Sequence, residues 1–497
     1  MKKMKRLVAL ALSVVMVLAM SMFAFAAEQT FTITAPKTTH QYEIYQIFTG
    51  DLSNGTLSNV KWGKNGTKTK GNAVDEVILN ELANVNTAGK SNKEKLEIIT
   101  KYATLSNPVA TITKGGTYSA AAGYYLIKDK DGSVTGTDTY TTYIVEVVGD
   151  VTIEPKADVP SFEKKIKDTN DTTGKTSAWQ DSADYDIGDT IPFKLTGTVA
   201  SNYVDYKGKY YFAFHDTEEE GLTFDATSVK VYVDNGGVES TEPIDRTYYN
   251  VVSNPADGCT FDVIFENLKG ISSVVAGSKI RVEYNSTLND KAVLGNEGNV
   301  NTGKLEFSNN PNSNQEGKPD TGETPDDSVI VFTYKVVVNK VDAEGNPLKG
   351  ARFTLTKKLA GGGTKVIQTI TILDENTTSF EFKGLDDGNY ILTETETPSE
   401  YNSIEPIEFT VNADHTITWD GTNRNQVLKS LTGNKVSGEI TLTPNVTKGS
   451  LTTNIKNKKG STLPSTGGIG TTIFYVVGAI LMVGAAVLLI TKRRAEN

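Results

Sequence analysis

Cysteine is almost absent from this sequence: the 497-residue chain contains a single one, Cys259. An intramolecular disulfide is therefore excluded. The chain is also too long for one hydrophobic core, so several domains are expected. If such a protein bears load outside the cell, some other covalent link has to take the place of disulfides.

Histidine is scarce as well, and acidic residues outnumber basic ones. The only imidazole bases are His40, His215 and His415, and none lies in a recognisable catalytic triad or metal-binding motif. We therefore expect no metal, no cofactor and no turnover enzyme. The net charge of −10 argues against nucleic acid as a partner.

Long apolar runs occur only at the two ends of the chain. A basic start, an apolar run over 7–22 and the small-residue site Ala24-Phe25-Ala26 predict a signal peptide over 1–26. Residues 471–490 form an uncharged run long enough to span a bilayer. The basic residues 492–494 that follow it should stay in the cytoplasm, which places the body of the protein outside the cell.

Three mostly β units are predicted between these ends. Alternating apolar residues and enrichment in Val, Thr and Tyr favour sheet, and turn-rich spacing favours immunoglobulin-like sandwiches. The first unit should add two short helices, at 74–83 and 92–103. The predicted bounds are 27–157, 158–312 and 329–460, with a polar linker over 313–328 and a terminal region over 461–497.

The terminal region begins with a recognisable pentapeptide. Leu463-Pro464-Ser465-Thr466-Gly467, followed by the apolar run and the basic tail, resembles the LPxTG sorting signal of Gram-positive sortase substrates. The resemblance implies a secreted protein that is anchored to peptidoglycan in the cell wall.

Three strands of the last unit each point one polar group toward an apolar interior. Period-two alternation places Lys340, Glu394 and Asn457 on the same faces as their apolar neighbours. Burial lowers the pKa of an amine and raises that of a carboxylic acid, so a buried lysine can become a nucleophile. Attack on the asparagine would release ammonia and leave an isopeptide bond, worth roughly 4–5 kcal/mol through loop closure. The alternative is that these residues simply end exposed strand edges.

The last unit resembles a Cna B-type domain. Residues 339–355 are similar to the opening of that domain, and 390–401 are similar to its E-box, whose glutamate catalyses the bond. This assigns Glu394 as the catalyst and Asn457 as the partner of Lys340; Asn454 is the rival, with the wrong parity.

The middle unit contains a similar set of a lysine, an acid and an asparagine. Residues 162–166 resemble the first strand of pilin middle domains, and Lys164 shares a face with apolar residues, so it is preferred over Lys165. Asp216 stands where the family has its acidic box. Residues 307–311 resemble the closing motif, which makes Asn309 the expected partner, with Asn310 as the alternative.

The end of the first unit resembles the pilin motif of major pilins at Val151-Thr152-Ile153-Glu154-Pro155-Lys156, although Glu154 replaces the usual aromatic residue. The family resemblance then implies a shaft pilin made of Cna-type sandwiches. A sortase would join Thr466 of one subunit to Lys156 of the next. Its expected partners are identical subunits, pilin-specific and housekeeping sortases, minor pilins, peptidoglycan and a host surface ligand.

Two other functions fit the sequence less well. A monomeric wall-anchored adhesin would share the sorting signal and the internal bonds but would not need Lys156. A wall-anchored hydrolase could use paired carboxylates, but no stretch of the sequence indicates them.

Overall fold

The structure is a computed structural model of the 497-residue chain. It describes residues 30–36, 40–53, 56–85, 92–134, 140, 142–153, 159–311, 320–370, 374, 376–460, 475–486 and 492. The predicted signal peptide, Lys156 and the sorting pentapeptide fall outside these residues. The prediction of a mostly β protein is confirmed. The three units are called the first, middle and last unit, and their strands are numbered in chain order.

The first unit contains two sheets and the two predicted helices. Its elements are β1 (Thr30–Thr34), β2 (Gln41–Ser53), β3 (Thr56–Trp62), α1 (Glu76–Val85), α2 (Asn92–Thr100), β4 (Ala110–Thr113), β5 (Thr117–Ala121), β6 (Gly123–Asp129), β7 (Thr142–Val147) and β8 (Val151–Thr152). The sheet orders are β5-β1-β8 and β3-β2-β6-β7, with β4 beside β2. Strand β2 buries Ile44 in one core and Ile47 in another, because successive residues point to opposite faces.

The middle unit is a sandwich of two sheets around a single aromatic-rich core. Its strands are β9 (Phe162–Ile166), β10 (Thr169–Asn170), β11 (Lys175–Thr176), β12 (Ser182–Asp184), β13 (Thr190–Thr198), β14 (Phe212–Glu218), β15 (Leu222–Asp234), β16 (Asn250–Ser253), β17 (Phe261–Phe265), β18 (Lys279–Leu288), β19 (Asn299–Ser308), β20 (Thr321–Glu323) and β21 (Asp327–Phe332). The sheets run β15-β18-β13-β9 and β12-β21-β19-β14-β17-β16, with β20 beside β19 and β10–β11 as a separate hairpin.

The last unit is a second sandwich in which the first and last strands are parallel neighbours. Its strands are β22 (Tyr334–Val341), β23 (Arg352–Lys358), β24 (Thr364–Ile370), β25 (Ser379–Leu385), β26 (Gly388–Glu396), β27 (Ile407–His415), β28 (Leu428–Lys435), β29 (Thr443–Asn445) and β30 (Ser450–Lys456). The sheets run β25-β22-β30-β29 and β24-β23-β26-β27-β28.

Short 3-10 turns and one further helix complete the described elements. The turns are Tyr203–Asp205, Arg246–Tyr248, Leu268–Gly270, Ala360–Gly362 and Arg424–Gln426. Residues 475–486 are helical and lie inside the predicted span 471–490. Among the described residues, no helix has the length and apolar character needed to cross a membrane.

The structure places strand β21 at Asp327–Phe332, across the predicted boundary between the linker (313–328) and the last unit (329–460). Its backbone pairs with β19 and β12 of the middle unit. Its side chains alternate between two cores, with Val329 and Val331 in the middle core and Ile330 and Phe332 in the last. The polar composition before residue 329 concealed this strand, because its start is stabilised by backbone pairing rather than by apolar side chains. The two sandwiches therefore share a strand.

A buried ion cluster of Lys357, Asp186 and Asp386 joins the same two units. The Lys357 Nζ atom lies 2.8 Å from Asp386 Oδ2 and 3.1 Å from Asp186 Oδ2, and all three residues are buried. Burial disfavours the charged amine, but the attraction of Asp386 and Asp186 outweighs it and raises the pKa of Lys357. This lysine therefore stays charged and acts as an electrostatic bridge.

Two further contacts reinforce the joint. The hydroxyl of Thr172, in the β10–β11 hairpin, donates to the Lys358 carbonyl at 2.8 Å and accepts from the Asn389 amide at 3.0 Å. On the other side, the Arg424 guanidinium binds both carboxylate oxygens of Glu219, at 2.7 and 3.0 Å. Paired geometry of this kind is directional, so it orients one sandwich on the other.

We expect Lys357→Ala to lower the free energy of unfolding by about 3–5 kcal/mol, because it leaves Asp186 and Asp386 as uncompensated buried acids. Chemical denaturation followed by tryptophan fluorescence measures the change. The matched control is Lys358→Ala, the next residue on β23, which removes a partly exposed ion pair with Glu408 and should cost less than about 1 kcal/mol. Equal losses in the two variants would contradict this role of the cluster.

Candidate functional site

The last unit brings Lys340, Glu394 and Asn457 together, as the sequence predicts. Lys340 lies near the end of β22, and Asn457 directly follows β30, its parallel neighbour. The Asn457 backbone amide donates to the Val341 carbonyl at 3.1 Å, which continues the ladder beyond the strand. Glu394 reaches the same point from β26 in the facing sheet.

These three side chains form a closed polar triad, and all three are fully buried. The Asn457 Nδ2 atom donates to both oxygens of Glu394 at 3.0 Å. The Lys340 Nζ atom contacts Asn457 Oδ1 and lies 3.5 Å from Glu394 Oε1. A single carboxyl group thus touches the amine and the carboxamide at once.

Burial lowers the pKa of Lys340, and the nearby Glu394 opposes that shift without cancelling it. The amine is therefore shifted toward its neutral, nucleophilic form beside a carboxamide. The rival Asn454 lies on the exposed face and accepts a hydrogen bond from Asn339 at 3.1 Å. Its parity excludes it from this interior.

The middle unit brings Lys164 and Asp216 together across its two sheets. The Lys164 Nζ atom contacts Asp216 and donates to the Tyr284 hydroxyl at 2.9 Å, with both charged side chains fully buried. The neighbouring Lys165 points the other way and binds Asp181 at 2.6 Å. The preference for Lys164 over Lys165 agrees with this geometry.

The structure does not bring Asn309 to Lys164. Asp216 pairs with Gly303 across β14 and β19. Asn309 is six residues further along, which at the rise of an extended chain is about 20 Å away. Its backbone instead bonds Asp320 and Tyr140, and the alternative residue Asn310 donates to the Asp320 carboxylate at 2.7 Å.

Asn301 occupies the place expected for Asn309. It lies two residues before Gly303 on the same face of β19 and is fully buried. Its Nδ2 atom is 2.9 Å from the Tyr284 hydroxyl and 3.1 Å from Glu218 Oε1. The sequence contained the signal, since β19 alternates from residue 299 onward, but parity alone cannot choose between asparagines on the same face.

Charge states in the middle site follow from its dry surroundings. Burial lowers the pKa of Lys164, although Asp216 opposes the shift. Burial likewise raises the pKa of Asp216 despite the adjacent lysine. The pKa of the nearby Glu218 rises to about 8, through burial first and then repulsion from Asp216. Burial therefore disfavours the charged forms of Lys164 and Asp216, and Glu218 holds its proton beside Asn301 at neutral pH.

No described lysine of the first unit is buried, so that unit shows no equivalent site among the residues described. The predicted polymerisation residues cannot be placed: Lys156 lies in the range 154–158 and Thr466 in 461–474, both outside the described residues. The chain just before Lys156 is in place, with β8 parallel to β1 and Ile153 buried.

Comparison with known proteins gives matches for the last unit and for the C-terminal region. Residues 334–425 match the SpaA prealbumin-like fold domain, and 455–497 match the LPXTG cell wall anchor motif. The trypsin-resistant surface T6 protein of Streptococcus pyogenes serotype M6 is 28% identical over 394 residues, covering 68% of this chain and 70% of that protein. The solved T6 backbone pilin of serotype M6 superposes with a TM-score of 0.52, at 19% identity, covering 87% of this chain and 99% of that one.

The chain is similar in sequence to the T6 surface protein and in fold to the T6 backbone pilin. The C-terminal region matches a cell-wall anchor motif. This pilin homologue is therefore an extracellular protein held at the cell wall, and the buried lysine sites belong to the part of it that lies outside the cell.

If a bond joins Lys164 to Asn301, Asn301→Ala should remove one ammonia loss of about 17 Da from the intact mass, because its acyl group is gone. Asn309→Ala is the matched control on the same strand face and should keep the wild-type number of losses. Mass spectrometry of the denatured chains, compared with their sequence masses, makes the measurement. The reverse pattern would restore Asn309.

Proposed function

We propose that this chain is the shaft subunit of a covalently polymerised pilus. Two buried lysines, each beside an acid and an asparagine, in a chain that ends in a cell-wall anchor motif, carry this proposal. Such a subunit needs stiffness along its length and a reactive group at each end. Homology to backbone pilins supports the same role.

The polymerising reaction is assigned to the two ends of the body. A pilin-specific sortase cleaves between Thr466 and Gly467 and holds Thr466 as a thioester on its cysteine. The Lys156 amine of the next subunit attacks that carbonyl, so that an amide forms and the sortase thiol leaves. A housekeeping sortase attaches the finished fibre to peptidoglycan; minor pilins and a host surface ligand are further proposed partners.

The internal bonds form without an enzyme. In the last unit the neutral Lys340 amine attacks the Asn457 carboxamide carbon, while Glu394 polarises the carboxamide and carries a proton to the departing nitrogen. One C–N bond forms, one breaks, and ammonia leaves. The middle unit follows the same course with Lys164 and Asn301.

Each bond connects elements that are distant in sequence but adjacent in the sandwich. Lys340 and Asn457 are 117 residues apart. Closing a loop of that size restricts the unfolded chain by about 5 kcal/mol in the entropic model. Under tension the gain is larger, because force that enters at the start of β22 leaves beyond β30 through a covalent bond.

Polymerisation is tested by Lys156→Ala in cells that express the pilin-specific sortase. The expected result is loss of the high-mass ladder on denaturing gels, since the chain then offers no amine to the thioester. Lys175→Ala, at an exposed position in β11, is the matched control and should leave the ladder unchanged.

A ladder that persists in Lys156→Ala would show that this lysine does not polymerise the protein. If the wild-type chain forms no ladder at all, the function as a monomeric adhesin is favoured over the shaft pilin, because an adhesin needs the cell-wall anchor but not Lys156.

A further inference from the structure

The middle site contains an acid that the proposed reaction does not yet use. Glu218 lies two residues after Asp216 on β14, and its Oε1 atom accepts hydrogen bonds from Ser286 Oγ at 2.5 Å and Asn301 Nδ2 at 3.1 Å. Its Oε2 atom is buried without a hydrogen-bond partner. Glu218 therefore touches the nitrogen that must leave as ammonia.

We propose that Glu218 is a second catalytic acid of the middle-unit crosslink, which protonates the departing nitrogen of Asn301 while Asp216 accepts the proton from Lys164. This inference rests on the proposed Lys164–Asn301 bond. It divides between two carboxyl groups the work that Glu394 performs alone in the last unit.

Side-chain length explains why two acids are needed. Glu394 lies within 3.0 Å of the Asn457 amide and 3.5 Å of the Lys340 amine, so one carboxyl group spans both reactants. Asp216 is one methylene shorter and contacts the Lys164 amine. Glu218 contacts the Asn301 amide from the neighbouring position on the same strand face.

The protonation states suit this division. With a pKa of about 8, raised by burial and by Asp216, Glu218 holds its proton at neutral pH. Lys164, Asp216 and Tyr284 are the titratable groups that face it. A buried acid with a pKa near the working pH is an effective proton donor.

Tyr284 holds the reacting groups in place, and the protons of the step balance between the two acids. Its hydroxyl lies 2.9 Å from each of Lys164 Nζ, Asp216 Oδ2 and Asn301 Nδ2. The Lys164 Nζ–Asn301 Cγ bond forms, and Nζ gives one proton to Asp216. The Cγ–Nδ2 bond breaks, and Nδ2 takes one proton from Glu218 and leaves as ammonia. Asp216 thus gains the proton that Lys164 loses, Glu218 gives up the proton that ammonia carries away, and one proton moves from Nζ to Nδ2 overall.

The test follows bond formation in newly made full-length chain. Cell-free synthesis is stopped, and samples are denatured over time and digested. Mass spectrometry then quantifies the Lys164–Asn301 linked peptide against the Lys340–Asn457 linked peptide from the same molecules. Glu218→Gln keeps the size of the side chain but cannot donate a carboxylic proton. We expect it to form the middle bond about 100-fold more slowly at pH 6.5.

Two controls separate chemistry from folding. Glu220→Gln, two residues on and exposed, should behave like wild type. The last-unit bond should form at the wild-type rate in every variant. Because only protonated Glu218 is active, the wild-type rate should fall as pH rises through about 8 and the deficit of Glu218→Gln should shrink at least severalfold by pH 9.

The outcomes distinguish this proposal from the one it rests on. If wild type yields no Lys164–Asn301 peptide, the crosslink itself fails. If wild type forms the bond and Glu218→Gln forms it equally fast, or with a deficit that does not change with pH, the crosslink stands and the catalytic role of Glu218 is overturned.

Discussion

The cost of burying a lysine amine between two β-sheets is the constraint on which this structure depends. Among the described residues the fully buried lysines are Lys164, Lys340 and Lys357. Removing an ammonium group from water is costly unless it is paired or neutralised. The three differ in what surrounds them. Lys164 and Lys340 have an acid and an asparagine within reach, so amide formation can remove the charge permanently.

Lys357 shows the other solution. Its neighbours are the carboxylates Asp186 and Asp386, which raise its pKa and keep it charged. Among the described residues, the side chains that pair with its amine are carboxylates, and the result is an ion bridge between units rather than a covalent bond. The same burial thus gives a nucleophile or a counter-ion, depending on whether an amide or a second acid stands beside the amine.

The proposed crosslinks and the ion bridge would divide the load between them. Tension applied between Lys156 and Thr466 would pass through the Lys164–Asn301 bond and the Lys340–Asn457 bond. Neither of the two proposed bonds spans the stretch between Asn301 and Lys340. That stretch contains β21, which pairs with β19 and places side chains in both cores. The shared strand and the Lys357 cluster therefore hold together the part of the chain that the proposed crosslinks would not span.

Sequence periodicity predicted the last-unit site well and the middle site only in part. Lys340, Glu394 and Asn457 were found because each sits on an apolar face inside a motif that resembles a known domain. The closing motif predicted Asn309, with Asn310 as the alternative. Asn301 shares a face of β19 with Asn309, and only the pairing of Asp216 with Gly303 shows that Asn301 is the nearer of the two to the site. The ion cluster was not predicted, since Asp186 and Lys357 are far apart in sequence and meet only when the sandwiches pack.

The most direct test of the two internal bonds is the intact mass of the full-length wild-type chain, made without a sortase and with its signal peptide removed. The account predicts a mass about 34 Da below the sequence value, because two ammonia molecules are lost. A mass equal to the sequence value would contradict both bonds.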